Sequence, residues 1–134
     1  MSSGHCFPKQ ERLVSRRLIE TLFSGSQSVA AFPLRAIYMI KERTREDEPV
    51  QLLVSVSKKH FHHAVDRNRV KRQVREAYRH QKHLIYPALS DQQQLLLAVI
   101  WLSDRQTTTT EVEKRLATAL RRIAEKLSVE TLNA

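Results

Sequence analysis

Leu18, Ile19, Leu22 and Phe23 recur at helical spacing between Ser15 and Phe23, with Arg16, Arg17 and Glu20 on the other side. This predicts an amphipathic helix. The polar stretch SGSQS (24–28) ends it, with Gly25 placed as the C-terminal stop. From Val29 to Ile40 the period changes to two. Leu34, Ala36, Tyr38 and Ile40 share one face of a predicted strand, and Arg35, Ile37 and Met39 share the other. Pro33 gives that strand a late start or an edge position. A charged turn (Lys41–Pro49) follows. Leu52, Val54 and Val56 then alternate against Gln51, Leu53 and Ser55, which predicts a second strand over Val50–Ser57. The link is short enough for an antiparallel hairpin.

Val70, Val74, Ala77 and Tyr78 fall at i, i+4, i+7 and i+8, one stripe of a helix over Arg67–Lys82 with Asp66 as its N-cap. On a helical wheel, Arg67, Asn68, Lys71, Arg72, Arg75, Arg79 and Lys82 form one arc beside that stripe. Arg69 and Glu76 lie further round. Pro87 and the polar SDQQQ (90–94) end the helical region. LLLAVIWL (Leu95–Leu102) lacks alternation and has strand length, so it reads as a strand covered on both faces, with Trp101 as packing. Thr110 and Glu113 have capping-box spacing ahead of a long stripe of Val112, Leu116, Ala119, Leu120, Ile123 and Leu127, which predicts a helix over Glu111–Leu127. The expected order is α-β-β-α-β-α in a single α+β domain over residues 1–134, with an irregular arm at 1–11 and a frayed tail at 128–134. A small sheet packs against the two later helices in two layers.

Composition narrows the partner. Twenty-three Lys and Arg face 14 Asp and Glu, a net charge of +9. Residues 58–82 hold nine of the cations (Lys58, Lys59, Arg67, Arg69, Lys71, Arg72, Arg75, Arg79, Lys82) and two acids (Asp66, Glu76), hence +7 of the +9. A solvated helix face alternates sign to gain i, i+4 pairs; this one does not, and like charges one turn apart each cost a few tenths of a kcal/mol. A polyanion turns that cost into attraction. Arg suits phosphate and Asn68 a base edge or 2′-hydroxyl. A single cysteine, Cys6, excludes an intramolecular disulfide and fits a reducing compartment. No apolar run approaches a membrane span and no signal-peptide core is present, so a soluble cytoplasmic protein is expected. No nucleophile–base pair or carboxylate dyad stands out, which argues against a protein active site. His60, His62 and His63 suit a phosphate-contacting or solvated loop better than a metal site. His80 and His83 extend the basic face, and Glu76 reads as a salt-bridge partner of Arg72.

The stretch VSVSKKHFHHAVDRNRVKRQVREAYR (Val54–Arg79) resembles the signature of the bacterial ribonuclease P protein component. The matching residues are Ser57-Lys58-Lys59, Ala64-Val65, Arg67-Asn68-Arg69, Lys71-Arg72 and Arg75-Glu76. FPKQERL (Phe7–Leu13), followed by an apolar helix, is similar to the family's opening. The resemblance implies the ribosomal protein S5 domain 2-like fold with its left-handed β-α-β crossover. It implies a protein subunit that joins a catalytic RNA to remove the 5′ leader of precursor tRNA, one protein per RNA, with the catalytic groups and the magnesium mainly on the RNA. Carried over, Arg67, Asn68, Arg69, Lys71, Arg72 and Arg75 contact the RNA subunit. Lys58, Lys59, Phe23 and Tyr38, with Ile37 as the one-residue alternative to Tyr38, face the leader. Ile19 takes a leader-site position at which the family often has an aromatic. The loop His60–His63 is one residue longer than the family pattern and lacks its customary Gly. The competing expectations are a structural RNA-binding protein such as a ribosomal component, and a DNA-binding regulator.

Overall fold

The computed structural model describes residues 11–43 and 48–133, with side chains through Ser128. Cys6, the Phe7–Gln10 part of the opening motif, most of the expected arm and the middle of the Lys41–Pro49 turn lie outside the described residues. The first helix, α1 (Arg16–Gly25), starts at Ser15, whose side chain accepts from the Leu18 N–H. This pairing satisfies one of the N–H groups that a helix start leaves open. Gly25 is the last residue of the helix and has no left-handed backbone; Ser26 follows in extended conformation.

Three strands follow where two were expected. The apolar run from 27 to 42 is split at Phe32–Pro33 into β1 (Gln27–Ala31) and β2 (Leu34–Glu42), which pair antiparallel. Proline has no N–H to give a ladder, so the chain turns there instead of running straight. β3 (Val50–Ser55) does not form a hairpin with β2. The sheet order is β1-β2-β4-β3, because β4 (Gln93–Trp101) enters between them, antiparallel to β2 and parallel to β3. The β3–β4 link is a crossover through α2 (Ala64–Gln81) and two short 3₁₀ turns, Lys82–Leu84 and Tyr86–Ala88. A parallel pair requires such a crossover.

The two later helices cover one face of the mixed sheet. Leu34, Ala36 and Tyr38 of β2 meet Val70, Val74, Ala77 and Tyr78 of α2 and the stripe of α3 (Thr109–Asn133) in one core. The α3 stripe from Val112 to Leu127 is at most 3% exposed. Its cap is Thr108 rather than Thr110, with Oγ1 accepting from the Glu111 N–H at 3.2 Å, and the helix runs to Asn133. The other face is not bare. Leu22 of α1 and Leu13 pack on Leu96 and Ala98, with Ile19, Ile37, Met39 and Leu53 around them. The helices therefore occupy both sides of the sheet, and β4, buried from Gln94 to Val99, is covered from both.

Candidate nucleic-acid interface

α2 divides its residues as the wheel predicts. Val70, Val74, Ala77 and Tyr78 are fully buried, while Asn68, Arg69 and Arg72 are exposed and Lys71 and Arg75 are half-buried. The helix begins three residues earlier than expected. His63, not Asp66, precedes it, and Asp66 sits in its first turn, where a carboxylate favours the positive end of the helix dipole. Asp66 Oδ1 accepts from Gln106 Nε2 at 3.0 Å. Arg67 turns back on the preceding loop: its Nη1 donates to the carbonyls of Phe61 and His62, each at 2.9 Å. Arg67 thus fixes the loop that delivers Lys58 and Lys59.

The cationic arc is shorter than the wheel implies. Arg79 forks onto Glu76, with Nη2 donating to Oε1 at 2.5 Å and Nε to Oε2 at 3.3 Å. His80 lies between Glu76 and Glu113, at 3.2 and 3.6 Å. Lys82, expected on the outer strip, turns to Glu11, with Nζ to Oε1 at 2.8 Å. Glu11 is only 3% exposed, and Tyr86 also donates to its Oε1 at 3.1 Å. The pair clasps the segment ahead of α1 to the end of α2. Arg12, next in that segment, bridges to Leu52 of β3, and Leu13 N–H donates to the Leu52 carbonyl at 2.9 Å. Burial holds the Arg75 pKa below its ordinary value, and the nearby Arg12 guanidinium adds to this. Two cations from separate elements thus share one region of positive potential.

A second locus lies on the α1 side of the sheet. Register places Ala30, Arg35, Ile100 and Ser55 in one row across the four strands, and Ser28, Ile37, Ala98 and Leu53 in the next. Ile37, Ala98 and Leu53 of the second row belong to the core under α1, whereas none of the first row does. At the boundary Phe23, 47% exposed, lines a concavity of about 180 Å³ with Gly25, Ser26, Ser28, Arg35 and Ile37. Arg35 Nη2 donates to Ser28 Oγ at 3.2 Å. Lys58 and Lys59 stand exposed in the turn beyond the β3 end of the open row, with the Lys59 N–H on Ser57 Oγ at 3.0 Å. His60 Nδ1 meets Asp104 Oδ1 at 2.6 Å and ties that turn to the segment after β4.

Tyr38 does not belong to this locus. It is 1% exposed in the core under α2 and α3, and its hydroxyl donates to Gln27 Oε1 at 2.9 Å. The alternation placed it with Leu34 and Ala36 correctly, but that face is the buried one. Ile37, one residue earlier, holds the position beside Phe23. Ile19 is half-buried against the α1-side core and serves there as packing. Arg35 was not singled out from the sequence. Its place opposite Leu34 and Ala36 in the alternation was the available signal.

Three comparisons bear on this geometry. The family model described as Ribonuclease P matches residues 7–124. The ribonuclease P protein component of Porphyromonas gingivalis is 41% identical over 117 residues, which cover 87% of this chain and 85% of the relative. Among solved structures, the RNase P protein from Thermotoga maritima is similar at a TM-score of 0.64 and 26% identity, over 84% of this chain and 96% of that one. The RNase P protein of Staphylococcus aureus is similar in fold at a TM-score of 0.66 and 24% identity, over 84% and 94% of the two chains.

Proposed function

Because the chain belongs to the ribonuclease P protein family and has the role of a ribonuclease P subunit in tRNA processing, we propose how it divides its surface between two RNAs. The exposed side of α2, with Asn68, Arg69, Lys71, Arg72 and Arg75 and with Arg67 bracing its start, docks on the catalytic RNA. The open end of the sheet, with Phe23, Ile37 and Arg35 and with Lys58 and Lys59 at its rim, holds the single-stranded 5′ leader of precursor tRNA. The observation that carries the reading is the pairing of an exposed aromatic with cations over an uncovered row of strand residues. Single-stranded RNA is held by this combination: a ring stacks on a base whatever its identity, and guanidinium or ammonium groups meet the phosphates.

In this reading the protein supplies affinity and substrate discrimination, and the RNA supplies the chemistry. Among the described residues no group of three His, Cys, Asp or Glu side chains is placed to hold a metal ion. Magnesium, which takes oxygen ligands in octahedral geometry, is in this reading held mainly by the RNA, where it assists phosphodiester hydrolysis. One protein serves one RNA, in the cytoplasm. No helix among the described residues is long and apolar enough to cross a membrane.

Reconstitution tests the proposal. Protein, ribonuclease P RNA and precursor tRNA are combined at low magnesium. Cleavage is expected only with protein present, and the precursor is expected to bind more tightly than mature tRNA. Arg69→Ala and Arg72→Ala should weaken assembly with the RNA subunit, whereas Phe23→Ala should weaken precursor binding alone. Equal affinity for precursor and mature tRNA would refute the leader role. Unchanged assembly in both arginine variants would refute the docking role of α2.

A further inference from the structure

Phe32 is 67% exposed and Leu102 is 38% exposed. They are distant in sequence and adjacent in the fold. Phe32 opens the turn between β1 and β2, and Leu102 follows the last residue of β4. The Leu102 N–H donates to the Pro33 carbonyl at 2.8 Å, which continues the β2–β4 ladder one step past the Leu34–Trp101 pair. Strand parity, carried one step along that ladder, places Leu102 with Ile100 and Ala98, and Phe32 sits in the turn beside it. That is the α1 side of the sheet, at the end α1 leaves open. Two guanidinium groups bind the same hairpin. Arg35 donates to Ser28 Oγ at 3.2 Å, and Arg122 Nη1 from α3 donates to the Ala30 carbonyl at 2.6 Å. An exposed ring therefore stands in the turn that follows Ala30 of the open row, and Arg35 of that row also lines the Phe23 concavity.

We propose that Phe32, backed by Leu102 and flanked by Arg35 and Arg122, is a second nucleobase-stacking platform for the single-stranded leader, one or more nucleotides beyond the base held at Phe23. The inference rests on the leader reading given above. Charge and shape select the ligand. A stack needs a flat apolar face that water reaches on one side, and the two cations meet the flanking phosphodiesters. Because bases differ little in their ability to stack, the platform reads leader length more than leader sequence.

The test crosses Phe32→Ala with leader length, measuring affinity in the reconstituted particle for precursors with leaders of about 2, 5 and 10 nucleotides and for mature tRNA. Phe32 is exposed in a turn, so the variant keeps its fold; its thermal transition is recorded alongside. With the longest leader, Phe32→Ala is expected to weaken binding about fivefold or more. The shortest leader and mature tRNA should be unaffected, and Phe32→Trp should retain wild-type affinity. A loss of the same size for every leader length and for mature tRNA overturns the proposal, because it places Phe32 on some other contact. Wild-type affinity at every length overturns it too, as does a change confined to the oligomeric state. If wild type itself does not prefer precursor over mature tRNA, the leader reading fails; if it does and Phe32→Ala has no effect, this inference alone fails.

Discussion

Lys82→Met removes the ammonium that Glu11 Oε1 shares with Tyr86. The carboxylate left behind is 4% exposed, and its second oxygen, Oε2, is buried without a hydrogen-bond partner. Removing one member of a buried ion pair costs about 3–5 kcal/mol, because the remaining charge is stranded. Lys82 is itself 35% exposed, so solvent screens the pair and lowers the figure towards the ~0–1 kcal/mol of surface pairs. The expected loss is about 1.5–3 kcal/mol, a fall in Tm of roughly 5–12 °C for a chain of this size. Methionine keeps the apolar stem beside the Tyr86 ring, which the Lys82 ammonium overlies at 5.8 Å, so lost packing is a small part of the effect. Chemical denaturation of wild type, Lys82→Met and Glu11→Gln/Lys82→Met separates the causes. The double variant should regain about half of the loss, since an amide still accepts from Tyr86 but carries no charge to strand. A Lys82→Met variant within about 0.5 kcal/mol of wild type would refute the reasoning, as would a double variant less stable than the single one.

Two further outcomes follow. Tyr38→Phe should cost about 0.5–1.5 kcal/mol through the lost bond to Gln27 and leave precursor affinity unchanged in the reconstituted particle; a precursor-specific loss would return Tyr38 to the leader site. In alkali, burial first and Glu11 second push the Tyr86 pKa up to about 12, and burial raises Tyr78 also. Both rings are neutral in the folded chain where the unfolded chain already ionises. Stability from this source is therefore complete below about pH 10 and falls as pH rises towards 12. Tyr86→Phe should flatten that fall in denaturation midpoints measured from pH 9 to 12, and an unchanged slope counts against the assignment.

Local patterns were legible where the contacts that fix them are local. The stripes of α2 and α3 lie at i, i+3, i+4 spacing, and every predicted stripe residue is buried. The split at Pro33 was hidden because apolar residues continue on both sides of it. The position of β4 was hidden for another reason: its partners lie at residues 34–42 and 50–55, and no spacing rule records which strand enters a gap. The site followed the same division. Asn68, Arg69 and Arg72 stand outward because helical geometry alone decides it. Lys82 does not, because its partner is 71 residues away. Tyr38 and Ile37 were separable as faces but not as inside and outside, since both faces of β2 carry apolar residues and a helix packs on each.

The late arrival of β4 has a consequence for synthesis. When a ribosome has exposed only the first ninety residues, β2 and β3 have no common neighbour and the slot between them is vacant. The lysine- and arginine-rich helix is then already outside the exit tunnel, on a chain whose sheet cannot yet close. Non-local pairing of this kind is slow compared with helix formation. For the seconds needed to translate the remainder, a half-built molecule offers its most strongly cationic segment to any nearby polyanion.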